Sequence, residues 1–160
     1  MLRAVTNGAG AANVPYVVAA SAATGMSTTG DTNENTLATI TIPAGAMGAN
    51  GIVRITTVFS YTNSANTKSL RVKFGGTTYQ NTSVTTTASA RYQTQIHNRN
   101  ATNSQGGGHI SGTFATSSGN PVTSSVDTTA AVTVLITGQN GLGSETITLE
   151  SYSVEVIYRP

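Results

Sequence analysis

From residue 37 onward, apolar and polar positions alternate with a period of two. In "LATITI" (residues 37–42) the recurring set is Ala38, Ile40 and Ile42. In "GIVRITTVFSY" (51–61) it is Val53, Ile55, Thr57, Phe59 and Tyr61, with Arg54, Thr56 and Ser60 on the opposite phase. Successive side chains of a strand point to opposite faces, so this pattern predicts strands with one face buried. The alternation is sharpest in "KSLRVKF" (68–74), where Leu70, Val72 and Phe74 oppose Ser69, Arg71 and Lys73. Further strands are predicted in "TSVTTT" (82–87), "RYQTQIHN" (91–98), "HISGTF" (109–114) and "AAVTVLIT" (131–137 with Ala130).

The last segment, "SETITLESYSVEVIYRP" (144–160), changes phase. Ile147 and Leu149 follow one register, while Tyr152, Val154, Val156 and Tyr158 follow the other. One extra residue has to be absorbed, which predicts a β-bulge near Glu150 and Ser151. The core expected from these phases includes Ile55, Phe59, Leu70, Val72, Phe74, Val134 and Ile136.

Turn chemistry separates the strands: "PAGAMGANG" (43–51), "TNSANT" (62–67), Gly75–Gly76, "NSQGGG" (103–108), "SSGNP" (117–121) and "GQNGLG" (138–143). No window of helical length carries a 3.6-residue apolar stripe. Short strands at this spacing predict an all-β fold, an antiparallel β-sandwich of jelly-roll type. The expected organisation is an extended N-terminal arm over residues 1–30 and one sandwich domain over residues 31–160, with residues 14–20 able to supply a first strand. The start of the chain is not read as a signal peptide, because Asn7, Gly8, Gly10 and Asn13 interrupt the place of its apolar segment. No run approaches the length of a membrane span.

Composition narrows the function. Charged residues are 9 % of the 160, against about 25 % in an ordinary soluble domain. Hydroxyls and amides, not charges, have to keep such a surface wet, which suits a chain made to assemble. The 8 basic and 6 acidic residues form no dense basic stripe, so no nucleic-acid partner is expected. No cysteine is present for a disulfide or a thiolate metal site.

Candidate chemistry is sparse. Asp31 and Glu34 share a polar loop; Asp127, Glu145, Glu150 and Glu155 are scattered, and a glycosidase pair could be assembled only from distant acids. His97 and His109 lack metal-ligand spacing and read as exposed polar residues. The glycine patterns "GAMGANG" and "GQNGLG" precede no helix and read as turns, not phosphate cradles. The expectation is no enzyme, no catalytic or metal-binding residue and no cofactor. Basic residues cluster around 54–73. Arg54, Arg71 and Lys73 are expected on the outward faces of two strands joined by an Asn/Ser-rich loop, as a solvated or partner-facing basic face, with the charges outside.

Residues 42–76, "IPAGAMGANGIVRITTVFSYTNSANTKSLRVKFGG", resemble a segment of virion proteins of tailed bacteriophages. In that segment an Ile-Pro-Ala-Gly entry, an Asn-Gly turn, a basic and aromatic strand, a Thr-Asn-Ser-Ala-Asn loop, a Lys-X-Leu-Arg-Val strand and a Gly-Gly end follow in this order. It marks Pro43, Gly45, Asn50, Gly51, Arg54, Asn63, Ser64, Asn66, Lys68, Arg71, Gly75 and Gly76, and implies structural positions with no catalytic set. The implied function is a non-enzymatic virion structural protein, a capsid decoration or cement protein that stabilises the head shell. The alternative is a tail-fibre or receptor-binding head domain that recognises a host surface glycan. Expected partners are further copies of the chain, as a homotrimer, and the phage major capsid protein or neighbouring virion proteins, with no membrane. Its place is the virion, assembled in the host bacterial cytoplasm. Arg3, Val5, Val14, Tyr16, Val17 and Val18 are the expected assembly contacts, since an arm can become ordered on a neighbour.

Overall fold

The computed structural model describes residues 17–23, 25–110 and 121–160. Among the described residues there are eleven strands: β1 (Val17–Ala22), β2 (Met26–Thr28), β3 (Glu34–Ile42), β4 (Ile52–Tyr61), β5 (Lys68–Phe74), β6 (Thr77–Val84), β7 (Ser89–Asn98), β8 (Gln105–Ile110), β9 (Val122–Ser124), β10 (Val132–Gln139) and β11 (Ile147–Ile157). They pair antiparallel in two sheets. The first runs β1-β11-β4-β7-β8-β9, with β2 also on β11; the second runs β3-β10-β5-β6.

β1 and β2 lie end to end along β11, with Ala22 opposite Tyr152 and Met26 opposite Leu149, and act as one interrupted edge strand. Counting them as one and setting β8 and β9 aside as an extension leaves eight strands. Numbered along the chain, these are ordered 1-8-3-6 in one sheet and 2-7-4-5 in the other. That is the jelly-roll order. Part of the arm expected over residues 1–30, from Val17 to Thr28, therefore runs mostly as edge strand of the sandwich. Residues 1–16 lie outside the described residues.

The inner faces follow the two-residue period. Ile55, Phe59, Leu70, Val72, Phe74, Val134 and Ile136 are fully buried, together with Val53, Ile96, Ile147, Leu149, Val154 and Val156. β11 shifts register between Leu149 and Ser151 against β4, the bulge that its change of phase predicts. A second bulge was not legible. Along β3, Ala38 pairs with Ile136 and Thr36 with Thr137, so Leu37 is the extra residue, and it turns into the core beside the expected set. Gly75 and Gly76 both have positive φ and close the two-residue β5–β6 hairpin, a turn that demands such a backbone at both positions.

The loop 62–67 carries the chain from the first sheet to the second, so β4 and β5 are not partners in one sheet. One expectation is corrected. "NSQGGG" is not a turn, because Gln105–Ile110 is a strand that pairs with β7. Crowding explains the middle glycine of its three. A Cβ at Gly107 would lie 2.1 Å from the Gln95 carbonyl oxygen, so only glycine fits. Residues 111–114 of the expected "HISGTF" strand lie outside the described residues.

Candidate functional site

The three basic residues expected on one partner-facing surface fall on two. Arg54 lies on β4 of the first sheet, directly opposite Glu155 of β11, and its Nη1 is 3.1 Å from Glu155 Oε2. Arg71 and Lys73 lie on β5 of the second sheet and converge on Glu34 of β3. Lys73 Nζ is 2.5 Å from one carboxylate oxygen and Arg71 Nη1 3.5 Å from the other. Thr137 donates a hydrogen bond of 2.7 Å to the same carboxylate, and Arg71 donates one of 2.9 Å to Gln139 Oε1. Burial opposes ionisation of Glu34, but Lys73, Thr137 and Arg71 outweigh it and hold the carboxyl below its ordinary range. Each basic residue of the proposed face thus has an acid beside it. Of the expected arm contacts, Val17 and Val18 lie on β1, paired with Ile157 and Val156. Arg3, Val5, Val14 and Tyr16 lie outside the described residues.

All six acids hold structure. Asp31 accepts from the Asn33 backbone and the Asn35 side chain, and Asp127 from the Thr129 backbone and hydroxyl, so each ties a turn. Glu150 accepts from the Ser60 hydroxyl. Hydrogen bonds, Asn35 first for Asp31 and Thr129 for Asp127, lower both carboxyl pKa values. A glycosidase acid needs the opposite shift, a carboxyl kept protonated near neutrality. Neither histidine is fully exposed, contrary to expectation. His97 is half-buried on the outer face of β7, and burial, then the charge of Arg54, lower its pKa. His109 packs edge-on against Tyr92, ring centroids 6.3 Å apart, within reach of Thr82. Among the described residues no group of three or more His, Cys, Asp or Glu is placed to hold a metal.

The most organised polar chemistry lies at the two ends of the sandwich. At one end Lys68 is completely buried and Glu145 nearly so, with Nζ 3.4 Å from Glu145 Oε1. The loop "SANTK" folds around this pair. Ser64 donates its hydroxyl proton to Glu145 Oε1 and accepts from Lys68 Nζ at 2.9 Å; Asn66 Nδ2 donates to the same carboxylate oxygen at 3.2 Å, and Lys68 donates to the Asn66 carbonyl at 2.8 Å. The Ser64 bond first, then Asn66 and Lys68, overcome the cost of burial and lower the Glu145 pKa. Lys68 thus lies inside, whereas Arg54, Arg71 and Lys73 lie on outer faces. The signal was present: Lys68 shares the phase of Leu70, Val72 and Phe74, and a period-two reading places it inside with them.

At the other end the closure is uncharged. Asn98 donates to the Gly48 carbonyl at 2.6 Å and to Thr128 Oγ1 at 2.9 Å, and its Oδ1 accepts from Gln105 Nε2 at 2.7 Å. Gln105 Oε1 accepts from Ser124 and from the Val126 backbone, and Ser124 reaches Tyr79 OH at 2.6 Å. Met47, in the "PAGAMGANG" corner, is fully buried beneath this network, a core residue that sits in no strand and escapes the alternation.

No protein-family model matches the chain, and no curated protein does. Among solved structures it is similar to dimeric latent PorU from Porphyromonas gingivalis, at 11 % identity over 94 % of this chain and 14 % of that one, TM-score 0.43. It is also similar to the CBM2 module of the evolved Dit of Lactobacillus casei BL23 phage J-1, at 11 % identity over 76 % of this chain and 69 % of that one, TM-score 0.37. A third likeness is to infectious bursal disease virus, Gx strain, at 11 % identity over 91 % of this chain and 42 % of that one, TM-score 0.36. The chain thus spans about a seventh of the first of these. At these TM-scores the likeness is too loose to transfer a function, and the jelly-roll assignment rests on the strand order.

Proposed function

We propose that this chain is a non-enzymatic structural protein of a bacteriophage virion, a jelly-roll subunit that self-associates as a trimer and attaches to the capsid as a decoration or cement protein. The observation that carries the reading is residues 42–76. The residues that this segment has in common with tailed-phage virion proteins hold the sandwich: Ser64, Asn66 and Lys68 build the buried clamp on Glu145; Arg54 and Arg71 pair across strands; Gly75 and Gly76 turn the hairpin. The shared string covers residues 42–76 and supplies a buried clamp, two cross-strand pairs and a hairpin turn of the fold.

Two further features support a structural role. Every side-chain carboxylate is engaged in a turn, an ion pair or a hydroxyl contact within the sandwich, as in a framework. On the outer sheet faces Arg54, Arg71 and Lys73 are paired with Glu155 and Glu34 among Thr, Ser, Gln and Asn, which leaves few charges to desolvate against a neighbour. Assembly contacts are assigned to Arg3, Val5, Val14, Tyr16, Val17 and Val18, and the neighbours are further copies and the major capsid protein, in a virion assembled in the bacterial cytoplasm.

The second reading, a receptor-binding domain of a tail fibre, has one specific observation in its favour: Leu142, at the tip of the loop after β10, is half exposed. Adding the purified protein to particles that lack it tests both. Saturable binding at many sites on the head is the expected result; binding to host cells or to their glycans, with none to the head, would replace the first reading by the second.

A further inference from the structure

Independently of the virion reading, the charged end of the sandwich brings together the groups of a self-modifying site. Lys68 and Asn140 are fully buried, at 0 % and 2 % exposure, and Glu145 is at 3 %. The β10–β5 ladder ends with Gln139 opposite Ser69, and one step further along the same register sets Asn140 opposite Lys68. The backbone confirms the approach, since a Cβ on Gly141 would lie 2.3 Å from the Thr67 carbonyl oxygen. Both side chains belong to the inner phase, Lys68 with Leu70 and Asn140 with Gly138 and Ile136. Directly opposed residues hold their Cβ atoms about 5 Å apart, within the reach of a lysine side chain.

The hydrogen bonding at this end is incomplete in a revealing way. Among the described residues, Asn140 Oδ1 and Glu145 Oε2 are buried acceptors without a donor. Asn140 Nδ2 makes only a long bond, 3.3 Å, to the Thr28 carbonyl. A buried acceptor left without a donor is costly, and this end of the sandwich holds two of them. Lys68 Nζ and Glu145 Oε1 are 3.4 Å apart, and transfer of a proton across that pair would free the amine as a nucleophile.

We propose that Lys68 and Asn140 become joined by an intramolecular isopeptide bond, with Glu145 as the proton carrier. The Lys68 Nζ lone pair attacks Asn140 Cγ, the new C–N bond forms, and the tetrahedral carbon collapses with loss of the Nδ2 group. Glu145 takes a proton from the attacking nitrogen and delivers one to the departing nitrogen, which leaves as ammonia. One amine and one carboxamide become one secondary amide and one ammonia, with no change of oxidation state and no co-reactant. The product ties the start of β5 to the end of β10 on the inner face of the second sheet.

Intact mass and tryptic peptide mapping of the purified full-length chain test this. The expected result is a mass lower by one ammonia and a branched peptide joining Lys68 to Asn140, with trypsin unable to cut after Lys68. Lys68→Arg abolishes the branched peptide, and Glu145→Gln slows its formation by about a hundredfold, the scale of a lost proton carrier. Asn140 precedes Gly141, so a cyclic imide would also lose ammonia. A loss of ammonia that persists in Lys68→Arg, a branch to Asn66 instead of Asn140, or a chain of full mass with a free Lys68 each overturns the proposal. The wild-type peptide map decides the matter alone if a variant fails to fold.

Discussion

The two ends of this sandwich solve one problem with different chemistry. Both must close a core where strands give way to loops, and both bury polar groups to do it. The end at Lys68 uses an ammonium and a carboxylate wrapped by Ser64 and Asn66. The end at Asn98 uses two carboxamides, hydroxyls and backbone carbonyls, with no charge at the centre. The neutral network satisfies Asn98 and Gln105 almost completely, whereas the charged end leaves Glu145 Oε2 and Asn140 Oδ1 without donors. A half-satisfied buried network is stability given up, and such places are where function is sought. The neutral end reads as architecture, the charged end as chemistry.

The largest break comes from unpairing the charged end. In an Asn140→Ala background, which keeps the Lys68–Glu145 ion pair, Lys68→Met leaves a carboxylate buried without its cation and is expected to lower stability by about 3 to 5 kcal/mol, read by denaturant unfolding. Lys68→Met combined with Glu145→Leu should recover most of that loss, because the desolvated charge is gone. Cutting the neutral network at Asn98→Ala removes three hydrogen bonds and strands the partners of Asn98, at a cost of about 3 kcal/mol. A pair of variants that cost the same within error, with no recovery in the double variant, would erase the distinction between the ends.

Acid sharpens it further. Glu145 has a folded pKa below its ordinary value of 4.5, so its contribution is present above that value and is lost as pH falls through the folded pKa. Asn140→Ala retains the Lys68–Glu145 pair and removes the electrophile, so in that background Glu145→Gln should flatten the acid limb of stability against pH. Asn98→Ala should leave the limb unchanged in shape, since no titrating group is lost. Glu34 contributes in the same direction from its partly exposed site.

Much of this organisation was legible in the chain. The period of two placed Leu70, Val72 and Phe74 inside, and the phase change at Glu150 and Ser151 located the β11 bulge, because both are one-dimensional consequences of strand geometry. Lys68 was legible by the same rule and was obscured by its charge, which reads as surface until its partner is known. That partner, Glu145, is 77 positions further on, and nothing local announces the pairing. Leu37 and Met47 were hidden for another reason: one sits in a bulge and one in a corner, where alternation does not apply. The split of Arg54 from Arg71 and Lys73 depends on which sheet each strand joins, a property of topology and not of sequence spacing.

The smallest effect is expected on the outer faces. Arg54→Ala breaks a cross-strand pair whose side chains are more than a third exposed, so the loss should be at most about 1 kcal/mol and shrink with added salt. A loss comparable with that of Lys68→Met would mean that the outer face is covered in the assembled protein.

Location on the particle tests the central claim most directly. Phage particles carrying a tagged copy of this protein, imaged with a gold-labelled ligand for the tag, should show many labels distributed over the head. Labels confined to the tail tip, or particles without label while the tagged protein remains in the lysate, would contradict a capsid-attached structural subunit.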